Sequence, residues 1–161
     1  MCGIVGGISQ DNIVPFLIKG LKHLEYRGYD SAGLVVHVGK DFTRFRAEGK
    51  VSNLEGKIND LKEELVSHIG IAHTRWATHG IPSENNAHPH ICNQSIAVVQ
   101  NGIIENFQSL KDEQLKQGYI FTSDTDTEVI AHCIYECRKT SSTLLEATQK
   151  SIKKFQGSFA I

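Results

Sequence analysis

The chain has 161 residues, 17 Lys and Arg against 18 Asp and Glu, and 40% hydrophobic residues, the length and balance of one globular domain. A formal charge of −1 provides no field to hold phosphate backbones or anionic lipid, so neither nucleic acid nor a membrane is expected as a partner. The longest apolar runs, such as 13–18, fall far short of the ~20 residues that span a bilayer, and the opening Met1-Cys2-Gly3-Ile4-Val5-Gly6-Gly7 has no secretory character, so a cytoplasmic protein is expected.

Residues 2–8 are short, apolar and Gly-punctuated, which predicts a buried strand at the N-terminus. After Asp11 or Asn12 as a cap, Val14, Leu17, Ile18, Leu21 and Leu24 recur at helical spacing with Pro15 in the first turn, and Gly28 ends the pattern. Runs 33–38 and 42–47, joined at Gly39-Lys40-Asp41, predict an antiparallel hairpin. Leu54, Ile58, Leu61 and Leu65 predict a second amphipathic helix with a solvated charged face. Segments 68–72 and 95–99 read as central strands, separated by a polar stretch, 74–93, that holds Trp76, several His and two Pro. So long a loop in a compact domain points to function.

Two more helices are expected over 127–138 and 143–155, the latter with Leu144, Ala147, Thr148, Ile152 and Phe155 at helical spacing, and a strand begins at Ser158. The chain stops in that strand, so a piece of something longer is expected. No internal repeat or linker divides it, and hairpins grouped between helices favour an α+β layered fold.

The four cysteines, at 2, 92, 133 and 137, are expected to stay reduced in that compartment. Cys133 and Cys137 share a helix face and read as core filler. His88, His90 and Cys92, with His79, raise the alternative of a small zinc-binding interaction module, although a second ligand pair of the usual spacing is missing.

Cys2 carries more chemistry. Removal of Met1 would leave it with a free α-amine, which titrates near ~7.7–8 and could serve as base to the thiol on the same residue. The competing reading is a cysteine that simply begins a buried strand. Gly3, Gly6 and Gly7 allow a substrate or a neighbouring strand to approach closely.

The stretches 24–33 (Leu-Glu-Tyr-Arg-Gly-Tyr-Asp-Ser-Ala-Gly), 74–80 (Thr-Arg-Trp-Ala-Thr-His-Gly), Asn101-Gly102 and Thr125-Asp126-Thr127-Glu128, together with Cys2-Gly3-Ile4-Val5-Gly6, resemble the glutaminase domain of the glucosamine-6-phosphate synthase family. These are class II glutamine amidotransferases of the N-terminal-nucleophile type, and the likeness spans essentially the whole chain, 1–161. The glutaminase half of a phosphoribosyl pyrophosphate amidotransferase is the nearer alternative. The resemblance implies a four-layer α/β/β/α sandwich of two antiparallel sheets, no cofactor and no metal. It implies L-glutamine as substrate. It also implies a sugar-isomerase domain, absent here, that uses the ammonia on fructose 6-phosphate, and a homodimer when full length.

By the same resemblance Cys2 forms a γ-glutamyl thioester, while the Asn101 side chain and the Gly102 N–H hold the oxyanion. Asn-Gly after an apolar run would otherwise signal a tight hairpin turn. Arg75 would grip the substrate carboxylate and Asp126 its ammonium, where Asp126 could equally cap a helix. Thr78 and His79 would complete the pocket by hydroxyl and backbone contacts, and Trp76 would stand on the route that ammonia takes. Arg27 and Gly28 would shape the wall beside Cys2, with Asp30 and Ser31 in the same loop, and His88 would belong to a mobile loop over bound glutamine. Where this family commonly has His before Asn-Gly, Gln100 stands here; an amide does not titrate near pH 7, so proton transfer is not expected there.

Overall fold

The computed structural model describes residues 2–161; the removal of Met1 lies outside the described residues. The elements run β1 (Gly3–Ile8), α1 (Val14–Leu24), a 3-10 turn (Glu25–Arg27), β2 (Ser31–Val38), β3 (Asp41–Glu48), α2 (Val51–Asn59) and β4 (Ile69–Arg75). They continue with β5 (His90–Cys92), β6 (Ile96–Val98), β7 (Asn101–Ile104), α3 (Phe107–Lys116), α4 (Glu128–Arg138), α5 (Leu144–Ile152) and β8 (Gly157–Ala160).

The first sheet is antiparallel, in the order β1-β4-β2-β3. Leu17, Ile18 and Leu21 of α1 and Leu54 of α2 bury their apolar stripe against Leu34, Val36 and Ala72 on one face of that sheet, the usual driving force for an amphipathic helix to dock. The second β layer consists of two antiparallel strand pairs, the hairpin β5 with β6 and the chain-distant pair β7 with β8. Its apolar side, Cys92, Ile96, Val98 and Ile104, packs with Val129, Ile130, Cys133 and Ile134 of α4 and with Ala147 and Phe155. The fold is therefore α+β, with the two β layers lying between helices.

The two β layers meet through polar contacts. Arg44 of β3 donates to the Pro89 carbonyl at 3.3 Å, and Arg46 donates to the Asn85 and Ala87 carbonyls at 2.8 and 3.2 Å. His73 of β4 places Nε2 2.9 Å from the Gln100 carbonyl. Gly33 permits this approach, since a Cβ there would stand 2.1 Å from the His88 carbonyl oxygen.

Several expectations need correction. Asn101 and Gly102 begin β7, paired with Ala160 and Phe159, and make no tight turn. The second helix ends at Asn59, so Leu61 and Leu65 lie beyond it. Leu144 and Ile152 of α5 are largely exposed, because Ala147 and Ser151 take the inward positions. The polar stretch 74–93 contains β5, and α3 arises where no helix was read: its inward positions are Phe107, Leu110 and Gln114, too few apolar residues to mark a period. Cys92, Cys133 and Cys137 are buried free thiols, and burial pushes Cys92 and Cys133 up to about 11.

Candidate active site

Antiparallel pairing sets the start of β1 beside the end of β4, with Gly3 opposite Thr74, and so brings Cys2 to Arg75 and Trp76. The Trp76 N–H donates to Cys2 Sγ at 3.3 Å, and Sγ lies 3.7 Å from the Trp76 carbonyl oxygen. Arg27 Nε donates to the Cys2 carbonyl at 3.4 Å. Gly28 abuts the Arg75 backbone, where a Cβ would lie 2.7 Å from the carbonyl carbon. Asp30 accepts the Ala77 N–H at 2.7 Å, which starts the next loop in a fixed direction.

A cavity of about 230 Å³ is lined by Cys2, Arg75, Trp76, Thr78, Asn101, Gly102 and Asp126, and also by His88, Gln100, Ile103 and Thr125. It is smaller than the ~300–1,000 Å³ usual for drug-sized ligands, in keeping with a small metabolite. A larger depression, about 800 Å³, lies beside α4 among Tyr119, His132, Glu136 and Lys139, remote from Cys2.

Arg75 is 3% exposed. Its guanidinium donates to the carbonyls of Ile81 at 3.3 Å, Gly80 at 3.1 Å and His79, so the residue that lines the cavity also holds loop 79–81. Of its five donors, Nε and one hydrogen of Nη1 have no such bond among the described residues. Burial lowers its pKa, opposed by negative charge at Cys2, Asp30 and Asp126. Asp126 is 3% exposed; its Oδ2 accepts the Ile104 N–H at 2.8 Å, which leaves Oδ1 for another donor.

At the cavity's side three imidazoles adjoin: His73 and His88 stack with ring centroids 4.1 Å apart, and His90 meets His88 edge-on at 4.9 Å. Burial pushes His73 down to about 3, and burial with neighbouring positive charge lowers His88 and His90 well below the ordinary value. All three rings are therefore neutral at pH 7.

Of the residues expected at the site, Cys2, Arg75, Trp76, Thr78, Asn101, Gly102 and Asp126 share the cavity, while Arg27 and Gly28 support it from behind. His79 is not in the lining; its ring packs edge-on against Phe107 and its carbonyl faces Arg75. His88 is no part of a mobile cover: it is 4% exposed, held by Gln100 and Thr127 between the layers. Gln100, Ile103 and Thr125 were not foreseen as lining. The polar run Ser123-Asp124-Thr125-Asp126-Thr127 was the available signal for Thr125.

The zinc alternative fails on geometry. His90 Nε2 lies 3.0 Å from Thr125 Oγ1, Cys92 Sγ lies 3.1 Å from His132 Nδ1, and His79 packs elsewhere. Among the described residues no group of three or more His, Cys, Asp or Glu could hold a metal ion.

Residues 73–161, more than half of the chain, match the family described as a glutamine amidotransferase domain. The chain belongs to that family. Cys2 lies outside the matched stretch but inside the alignments with whole relatives. The chain is 52% identical over 163 residues to the glutamine–fructose-6-phosphate aminotransferase [isomerizing] of Buchnera aphidicola subsp. Baizongia pistaciae, covering 100% of this chain and 26% of that one. It is 52% identical over 161 residues to the enzyme of the same name from Acinetobacter baylyi, again covering 100% and 26%. It thus spans about a quarter of the length of these relatives. Among solved structures it resembles the glutamine phosphoribosylpyrophosphate amidotransferase of B. subtilis complexed with ADP and GMP, with a TM-score of 0.75 and 28% identity, covering 99% of this chain and 33% of that one. That structure shares the fold at a lower identity than the two aminotransferases show.

Proposed function

We propose that this chain hydrolyses L-glutamine to glutamate and ammonia through a thioester on Cys2. The reading rests on one observation: a thiol, a guanidinium, a carboxylate and an Asn-Gly pair line a single small cavity, the set that amide hydrolysis of an amino acid requires. Sγ attacks the side-chain amide carbon, and the Asn101 amide and Gly102 N–H receive the oxyanion, a role in which one donor is typically worth ~10²–10³ in rate. Arg75 takes the α-carboxylate through a donor left unbonded and Asp126 Oδ1 takes the α-ammonium, so the substrate lies with its amide toward Cys2. Thr78 adds a hydroxyl, and His79 acts through its carbonyl on Arg75.

The carbon–nitrogen bond breaks as the leaving nitrogen is protonated and departs as ammonia past Trp76. Water then cleaves the thioester and restores the thiol. The Cys2 α-amine, once Met1 is removed, is the base, already oriented because it shares a residue with the nucleophile.

The relatives' names and their fourfold greater length support a wider proposal: this chain is the glutaminase portion of a cytoplasmic, homodimeric enzyme whose sugar-isomerase domain uses the ammonia on fructose 6-phosphate. Identity of about half to those aminotransferases, against 28% to the phosphoribosylpyrophosphate enzyme, favours it over the purine alternative. Glutamate release by the 161-residue chain is compared with that of Cys2→Ala: activity only with the thiol is expected, and equal rates refute the proposal. Intact-mass spectrometry alongside this assay checks the base, since robust turnover by protein retaining Met1 removes the α-amine from the mechanism.

A further inference from the structure

Gln100 immediately precedes the Asn101-Gly102 pair, and Thr127 immediately follows Asp126. These two neighbours are bonded to each other: the Thr127 hydroxyl donates to Gln100 Oε1 at 2.8 Å. His88 closes the link into a ring, with Nδ1 accepting the Gln100 backbone N–H at 3.2 Å and Nε2 lying 3.2 Å from Thr127 Oγ1.

The polarity of the ring follows from its members. A backbone N–H can only donate, so Nδ1 of His88 carries no proton and Nε2 does. That proton goes to Thr127 Oγ1, whose own hydrogen is then free for Gln100 Oε1. The ring is buried: His88, Gln100 and Thr127 are 4%, 3% and 0% exposed, with His88 and Gln100 bordering the cavity. The Ile104 N–H to Asp126 Oδ2 bond fastens β7 to the same loop at a second point, so strand and loop cannot slide independently while both hold.

We infer that Thr127 is a positioning residue: through Gln100 and His88 it sets the distance between the Asn101-Gly102 donors and the Asp126 carboxylate, and thereby selects a substrate whose amide stands at glutamine's distance from its α-ammonium. This rests on the glutaminase reading of the same cavity and adds the element that measures substrate length. A substrate without the α-ammonium does not sense that distance, because it engages only one of the two ends.

The test compares Thr127→Val, which keeps shape and loses the hydroxyl, with Thr127→Ser, which keeps the hydroxyl, in the 161-residue chain. kcat and KM are measured for glutamine and for glutaramate, its α-deamino analogue, and amide hydrogen exchange is followed at Gln100. Thr127→Val is expected to lower kcat/KM for glutamine by about 10–100-fold, the scale of misplacing reacting groups by an ångström. It should also narrow the preference for glutamine over glutaramate and speed exchange at the Gln100 amide, while Thr127→Ser restores all three. Should Thr127→Val fail to fold, Gln100→Met, which removes the acceptor together with an amide nitrogen that has no partner among the described residues, carries the comparison. Unchanged preference together with unchanged exchange overturns the inference. Equal glutamate release by wild type and Cys2→Ala removes the glutaminase reading instead, and exchange at Gln100 then decides alone whether the Thr127 tie exists.

Discussion

The two walls of the cavity are held by different means. Cys2 and Arg75 stand at the ends of β1 and β4, fixed by a ladder of six paired positions. The opposite wall, Asn101, Gly102 and Asp126, has a shorter ladder of four paired positions with β8, and its strand and loop are tied together by buried side chains: Gln100, Thr127, His88 and the Asp126 carboxylate itself. Backbone pairing is indifferent to most side-chain changes, because every residue except Pro brings its own donor and acceptor. A side-chain network is not, since removing one member strands a buried partner at about 1–3 kcal/mol. The nucleophile's wall is therefore the more tolerant, and the oxyanion and ammonium wall the more easily lost.

The contrast can be broken where the layers touch. Gly33→Ala would drive a Cβ to 2.1 Å from the His88 carbonyl and 2.9 Å from that of Phe45, both backbone atoms that cannot swing away. Loss of the folded state is expected, read as insoluble protein; a soluble variant melting like wild type would show that the layers separate freely.

Acid should act next most strongly, and where the two walls meet. His73, His88 and His90 are depressed by burial, so the unfolded chain binds protons first. Their contribution is whole above the ordinary pKa of ~6.5 and is lost as pH falls toward the folded value, about 3 for His73. Each group lowers stability by up to about 1.4 kcal/mol per pH unit in that window. Urea unfolding at pH 7, 6 and 5 measures the slope, and a flat profile would contradict neutral burial of the three rings.

Glu128→Gln sharpens the contrast further. The Glu128 carboxylate is 2% exposed and accepts from the backbone N–H and hydroxyl of both Thr122 and Ser123. An amide can accept at only one of its two ends, so a loss of about 2–3 kcal/mol is expected by denaturant titration. At the far end of the scale, Lys22→Ala removes the exposed ion pair with Glu55 behind the first wall and should change stability by less than about 1 kcal/mol.

What the sequence made legible follows the same division. α1 and the β2–β3 hairpin were readable because Leu17, Ile18 and Leu21 recur at helical spacing and the strand runs alternate around Gly39-Lys40. Cys2, Arg75, Asn101 and Asp126 were readable as motif residues before their shared cavity was known. β5 was hidden because it has three residues and opens on an inward imidazole. The ring through Thr127 was hidden for a deeper reason: its members lie 27 and 39 positions apart along the chain, and no local period records which polar side chains will meet. His88 was misplaced on that account, assigned to a mobile loop over bound glutamine when it is held among buried neighbours between the layers.

The burial of three cysteines has a practical result. Cys92, Cys133 and Cys137 are 1%, 4% and 8% exposed, and two of them are held far from ionisation, whereas Cys2 opens on the cavity. An alkylating reagent at neutral pH should therefore add a single mass increment to each folded chain, at its second residue. The label would count the competent molecules in a preparation, and glutamine should slow its addition.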